Sequence, residues 1–349
     1  MGINGRARTE CDGPGFPRRP ALVYPFENAV KSVVCLDLPR SIEEAQAPRN
    51  KTTRRRLISA PALLAPFPTP APKHAANQSA VASPAAQLSQ LMTCAAAESA
   101  LRDLELKYKY HGPFCLPRVV TRPESPTSQS PTPLSYFVPE CSHALHGSIE
   151  EKSKTLDSSG PLFDLILMDP PWPNRSAKRK RGGYTVCHGS QDIRRLLSLI
   201  PVRTRLAPGG VVAVWVTNSQ AMVDVLTERD GLFAEWDLEP AGEWIWLKVT
   251  ANGEPMSDIH STWRKPWERL LFARRKGDFK VNILDRKVIL AVPDVHSRKP
   301  SFKQLFDEMM PSGYHALEVF ARYLTADSGR LRSSMSRDPA SSVVAGLHR

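Results

Sequence analysis

Apolar positions along the chain gather into short runs beyond about residue 136, and helix-like polar stretches separate them. Phe163–Met168, broken only by Asp164, has the length and composition of a buried strand, and it ends abruptly at Asp169-Pro170-Pro171. Ser190 to Ile200 opens on a helix-start signal and carries Ile193, Leu196, Leu197 and Ile200 at helical spacing. Ala207-Pro208-Gly209-Gly210 predicts a turn, followed by a buried strand at Val211–Val216. A helix is expected over Ser219–Arg229, with strands near Glu243–Val249, Glu268–Ala273 and Val288–Val292. Phe302, Leu305, Phe306, Met309 and Met310 mark one face of a helix that Pro311 and Gly313 close, and Leu317–Ala321 predicts a last strand. This alternation predicts an α/β fold: a parallel or mixed sheet with helices on both faces. Sheets of that kind bind ligands at the carboxyl ends of their strands.

Upstream the pattern changes. Of the 32 prolines, 19 fall in residues 1–150, among Ser, Ala and Thr clusters with few long apolar runs. Residues 1–80 therefore read as a largely disordered, Pro-rich and basic region, and 81–135 as a short helical segment and a linker. In that segment Leu88, Leu91, Met92, Ala95, Leu101 and Leu104 fit amphipathic helix between Pro84 and Tyr108. The packed domain is expected over 136–325, with a divergent, disordered tail at 326–349.

No apolar run approaches the ~18–20 residues a membrane-spanning helix needs, so a transmembrane protein and a membrane partner are excluded. The start Met-Gly-Ile-Asn-Gly-Arg is no signal peptide, and Arg6 stands where a myristoylation signal wants Ser or Thr. Six scattered cysteines form no Cys-x-x-Cys pair and match no histidine spacing, so neither a disulfide frame nor a metal site is expected. The net charge of +12 is shared by both halves and suits an anionic polymer as partner. The run Lys51-Thr-Thr-Arg54-Arg55-Arg56 fits a nuclear import signal, a nucleic-acid arm or a plain solvated cluster.

Asp169-Pro170-Pro171-Trp172 is the tetrapeptide that carries chemistry. Two prolines fix the course of the chain and remove two backbone donors, while their carbonyls remain acceptors. Asp169 adds an acceptor-only carboxylate at the strand tip, and Trp172 a flat face for stacking. Together they suit a planar ring bearing an amine. Two hydrogen bonds, to the carboxylate and to a proline carbonyl, would turn the amine lone pair toward an electrophilic methyl group, and positioning would supply most of the catalysis. A turn-capping Asp beside a surface Trp is the structural alternative.

With its neighbours this tetrapeptide resembles the catalytic motif of the MT-A70 adenine-N6 methyltransferases, in the branch called methyltransferase-like protein four. The likeness runs through Phe163–Trp172 with Asn174, Lys178 and Arg179, then Tyr184, Trp215-Val-Thr-Asn218, Glu243-Trp-Ile-Trp-Leu-Lys248 and Lys265-Pro-Trp-Glu268. It continues in His296-Ser-Arg-Lys299-Pro300 and Glu318-Val-Phe-Ala-Arg322. The resemblance implies a Rossmann-like, S-adenosylmethionine-dependent enzyme that methylates the exocyclic amine of adenine in RNA or DNA. It assigns Asp169, Pro170, Pro171 and Trp172 to catalysis. Lys265, His296, Lys299, Glu318, Arg322 and Glu140 fall to the cofactor. Asn174, Lys178, Arg179, Lys180, Arg181, Tyr184 and Asn218 fall to the nucleic acid, for which the basic loop predicts salt-sensitive affinity. A nuclear (or nuclear and cytoplasmic) location, and action as a monomer or with a related subunit, are further expectations. The family's closing Trp-Gly-Asn-Glu segment has no counterpart after Arg322. Two other readings therefore stand: an inactive nucleic-acid-binding relative, and a methyltransferase for another amine.

Overall fold

One mixed sheet of eight strands, in the order β1-β2-β7-β5-β6-β4-β3-β8, forms the centre of the computed structural model. It describes residues 22–25, 32–47, 56–69, 83–107, 113–120, 138–139, 142, 144–145, 147–158, 161–173, 189–261, 264–278 and 286–326. The strands are β1 (Leu22–Pro25), β2 (Val33–Leu36), β3 (Phe163–Met168), β4 (Leu206–Val216), β5 (Leu238–Lys248), β6 (Trp267–Arg275), β7 (Lys287–Ala291) and β8 (Ala316–Val319). The helices are α1 (Leu38–Ala45), α2 (Pro84–Lys107), α3 (Ile149–Ser158), α4 (Ser190–Ser198), α5 (Val202–Arg205), α6 (Gln220–Thr227), α7 (Leu232–Glu235) and α8 (Lys303–Met309). The architecture is Rossmann-like, as the alternation of elements predicts. β3 runs parallel to both β4 and β8, and β5 runs parallel to β7. Only β6, between β4 and β5, and the edge strand β1 pair antiparallel.

Alternation along the strands divides the core. Leu165, Val211, Ala213, Trp215, Trp244, Trp246, Leu270 and Phe272 fill one face, against α1 and the Phe302 and Phe306 rings of α8 and its lead-in. The other face carries Ile166, Val212, Val214, Leu271 and Ala273 under α4 and α6. Further along that face, Ile245, Leu247, Val288 and Leu290 meet Ala97, Ala100 and Leu104 of α2. α3 starts at a capping box: Glu151 N–H donates to Ser148 Oγ at 3.2 Å, and Ser148 N–H to Glu151 Oε2 at 3.2 Å.

Two readings of the sequence need correction. The sheet does not begin near 136. β2 pairs with β7 in parallel register, and β1 pairs with β2. Leu36, Leu38 and Ile42 are buried, and Asp37 caps α1 by accepting from Arg40 N–H at 2.9 Å. Part of the supposedly disordered region 1–80 thus belongs to the core. Four-residue strands among prolines carry too little periodicity to be read alone. The Ala207–Gly210 segment is also no free turn. It bulges within β4, where Phe163 faces Leu206 but Leu165 faces Val211. Gly209 takes φ +84°, and a Cβ on Gly210 would meet the Ala207 and Phe163 carbonyls at 2.9 and 3.0 Å.

Candidate active site

The carboxyl ends of the parallel strands meet in an open cleft lined among others by Asp169, Trp215, Lys299, Phe302, Glu318 and Arg322. Asp169 stands directly after β3, and its N–H donates to the Val319 carbonyl at the end of β8, 3.2 Å away. The double proline then fixes the corner. Trp172 N–H closes it by donating to the Pro170 carbonyl at 2.8 Å. The indole Nε1–H donates to the Trp215 carbonyl at the tip of β4, 2.7 Å away. The corner is therefore bound to both strands that flank β3. One lone pair of the Pro170 carbonyl is taken by Trp172, which leaves the other for a ligand.

Lys299 binds this corner to the far side of the cleft. Its Nζ lies 3.0 Å from Asp169 Oδ1 and 3.1 Å from Glu268 Oε2, with the Trp215 ring centroid 5.7 Å away. Glu268, at the start of β6, holds Lys248 at the end of β5, with 2.5 Å between Oε1 and Nζ. Arg322 approaches Asp169 Oδ2 to 3.6 Å from a more exposed position. Charges therefore alternate from Asp169 through Lys299 and Glu268 to Lys248. Burial disfavours the Lys299 ammonium, yet Asp169 and Glu268 carry its pKa above the ordinary value. Burial likewise opposes ionisation of Glu268, but the Lys299 and Lys248 ammonium groups outweigh it and hold the carboxyl at about 2. Phe320 (φ 61°), in the lining of the cleft, adopts the left-handed backbone that costs non-glycine residues about 1–3 kcal/mol.

Of the residues singled out from sequence, Asp169, Lys299, Glu318 and Arg322 line this cleft together, while Pro170, Pro171 and Trp172 follow Asp169 outside its lining and Trp172 packs against the core on the other face of the sheet. Others stand elsewhere. Asn218 spends its amide on the Trp267 carbonyl at 2.7 Å, tying the end of β4 to the start of β6. Lys265 lies over the Trp267 ring, 5.3 Å from its centroid, and burial lowers its pKa. His296 is exposed, with Nδ1 2.9 Å from Ser297 Oγ. Glu140, Asn174, Lys178, Arg179, Lys180, Arg181 and Tyr184 lie outside the described residues. Sequence reasoning did not select Glu268 and Lys248, although both end segments it had matched. The signal was present, but which charge faces inward depends on register.

Comparison with known proteins agrees with this geometry. Residues 163–329 match the MT-A70 family model. The N6-methyladenosine RNA methyltransferase MTA1 of Cryphonectria parasitica is 45% identical over 333 residues, covering 93% of this chain and 94% of that protein. The protein of the same name in Pyricularia oryzae is 44% identical, over 86% of this chain and 90% of its own length. Human N(6)-adenine-specific methyltransferase METTL4 is 35% identical over 46% of this chain and 35% of its own. With an Asp-Pro-Pro-Trp corner at the end of β3 and near-full-length similarity to the first two of these relatives, the chain belongs to the MT-A70 family, the S-adenosylmethionine-dependent methyltransferases of the adenine N6 amine.

Proposed function

We propose that this chain methylates the N6 amine of adenosine in RNA. The observation that carries the reading is the rigid Asp169-Pro170 corner, with two acceptors at the edge of a charged cleft. The RNA substrate rests on the two relatives that match along nearly the whole chain, both named as RNA methyltransferases.

The cleft suits S-adenosylmethionine. Lys299 offers the cation that a methionyl carboxylate needs, and the buried Glu318 offers a carboxylate for hydroxyl or amino groups. Phe302 and Phe320 add apolar surface beside these charges. When bound, the donor supplies an electrophilic methyl group. The protein's part is placement. Asp169 and the Pro170 carbonyl accept the two N–H groups of the amine, which draws the nitrogen lone pair out of conjugation with the ring. Asp169 stabilises the positive charge that grows on the nitrogen and is the acceptor nearest the departing proton. Trp172, fixed through its own N–H and packed against the core, holds the corner in place from behind. Glu268 and the Trp215 ring keep Lys299 at the corner. Nuclear action belongs to the same proposal and rests on the basic run at residues 51–56.

The test offers matched adenine-containing RNA and DNA oligonucleotides to the purified chain with labelled S-adenosylmethionine. Mass spectrometry of the nucleosides should find N6-methyladenosine from the RNA. Product from DNA alone would overturn the RNA assignment, and no product from either would overturn the activity.

A further inference from the structure

On the face of the sheet that α2 covers, three potential metal ligands converge. Cys94 and Glu98 are four apart on α2 and so project from one side of the helix. His260 comes from the loop between β5 and β6. Cys94 Sγ lies 3.8 Å from His260 Nδ1 and 3.9 Å from Glu98 Oε1, and His260 Nε2 lies 3.4 Å from Glu98 Oε1. One donor atom from each residue can be chosen so that all three lie within 4.8 Å of one another.

We propose that Cys94, Glu98 and His260 bind a divalent transition-metal ion, with zinc the best fit. Zinc bonds of ~2.3 Å to sulfur and ~2.0–2.2 Å to nitrogen and oxygen set ligand–ligand edges of about 3.4–3.6 Å in a tetrahedron. The Cys94–Glu98 separation of 3.9 Å is within a few tenths of an ångström of such an edge, and each of the two is that close to one nitrogen of the His260 ring. The imidazole now bridges the other two groups through different nitrogens, so a turn of the ring brings a single nitrogen onto the ion. A thiolate, an imidazole and a carboxylate form a donor set that suits zinc and disfavours calcium or magnesium, which prefer oxygen alone. With the His260 side chain 69% exposed, the ion has a path from solvent and a fourth position for water.

Both supports are built without help from the cluster. α2 is seated through Ala97, Ala100 and Leu104 on β5 and β7. The loop is braced by Thr250 N–H to the Glu254 carbonyl at 2.7 Å, by Met256 N–H to the Lys248 carbonyl at 2.9 Å, and by Phe67 N–H to the Met256 carbonyl at 2.8 Å. His260 N–H donates to Asp258 Oδ1 at 2.9 Å, which orients the ligand-bearing residue. The Lys265 ammonium and the Asp258 carboxylate are the other charges felt at Cys94. Lys265 balances the added negative charge of a thiolate. The ion would clamp α2 to the segment that leads into β6 and Glu268, giving the site a structural role.

The full-length protein, stripped with a chelator, is titrated with Co²⁺ as a spectroscopic stand-in and then with Zn²⁺ in competition. One equivalent of Co²⁺ should give a thiolate-to-metal charge-transfer band that Zn²⁺ abolishes, and Zn²⁺ should raise the thermal midpoint. Cys94→Ser should lose the band, and His260→Gln should weaken binding at least as much as loss of a supporting residue does, about 10–100-fold. His260 is exposed, so His260→Gln keeps the test valid should Cys94→Ser fold poorly. A band unchanged in folded Cys94→Ser would place the metal at another cysteine, and an unchanged Co²⁺ affinity in His260→Gln would take His260 out of the site; either result ends the proposal, as would no band in the parent protein.

Discussion

Lys299 stands 3.0 Å from Asp169 with its side chain only 13% exposed, so the Asp-Pro-Pro-Trp corner meets the cleft as a largely buried ion pair. Removing the cation leaves Asp169 and Glu268 facing one another. Arg322 and Lys248 remain beside them, so Lys299→Met should destabilise the fold by about 1.5–3 kcal/mol at neutral pH, the scale of a lost hydrogen bond to a charged group. Like charges raise each other's pKa, so the deficit against wild type should shrink as acid protonates the carboxylates. Urea unfolding at several pH values checks both points, and calorimetry should show S-adenosylhomocysteine binding lost.

Asp169→Asn keeps the shape of the corner and removes its charge. Single-turnover methylation of an RNA oligonucleotide should slow by about 10²–10³-fold, the scale seen when one preorganised electrostatic group is removed. Oligonucleotide affinity should barely change. An equal rate would take Asp169 out of the chemistry.

Glu268 links acid stability to the same cluster. Its carboxyl is held at about 2 in the fold against an ordinary 4.5. A depressed carboxylate pKa contributes stability that is fully present above 4.5 and is lost as pH falls toward 2. Roughly 3 kcal/mol is at stake. Glu268→Gln should flatten the fall in unfolding free energy across that window.

Trp172→Phe preserves a flat ring and deletes the donor to the Trp215 carbonyl. Thermal unfolding should show a loss of about 1 kcal/mol. The loosened corner should lower kcat more than it raises KM for RNA.

A fragment beginning at residue 136, the boundary suggested by composition, should fail to unfold cooperatively. It lacks β2, which leaves the edge of β7 bare, and it lacks Leu36, Leu38 and Ile42 from the core around Phe302 and Phe306. It also loses Ser41 Oγ, which accepts from Ser301 N–H at 3.0 Å beside the cleft. A fragment from residue 22 should melt sharply by circular dichroism.

The order of the strands and of the longer helices beyond 160 was legible in the sequence because each buried strand or amphipathic helix repeats at its own short period, whereas the one-turn helices α5 and α7 are too short to show one. So was the corner, since Asp-Pro-Pro-Trp after an apolar strand has few possible conformations. Local pattern therefore determined the α/β class and the rigid acidic corner at the end of β3. Tertiary structure decided what depends on pairing across distance. It recruited β1, β2 and α1, whose short apolar runs gain meaning only against β7 and α8. It aligned Glu268 with Lys299, because antiparallel register decides which charge of a matched segment faces the cleft. It also set His260 beside Cys94, residues 166 positions apart in a chain whose cysteine spacing argued against a metal site. Spacing along the chain reports only neighbours on one element, whereas a site assembled from several elements exists only once the sheet has closed.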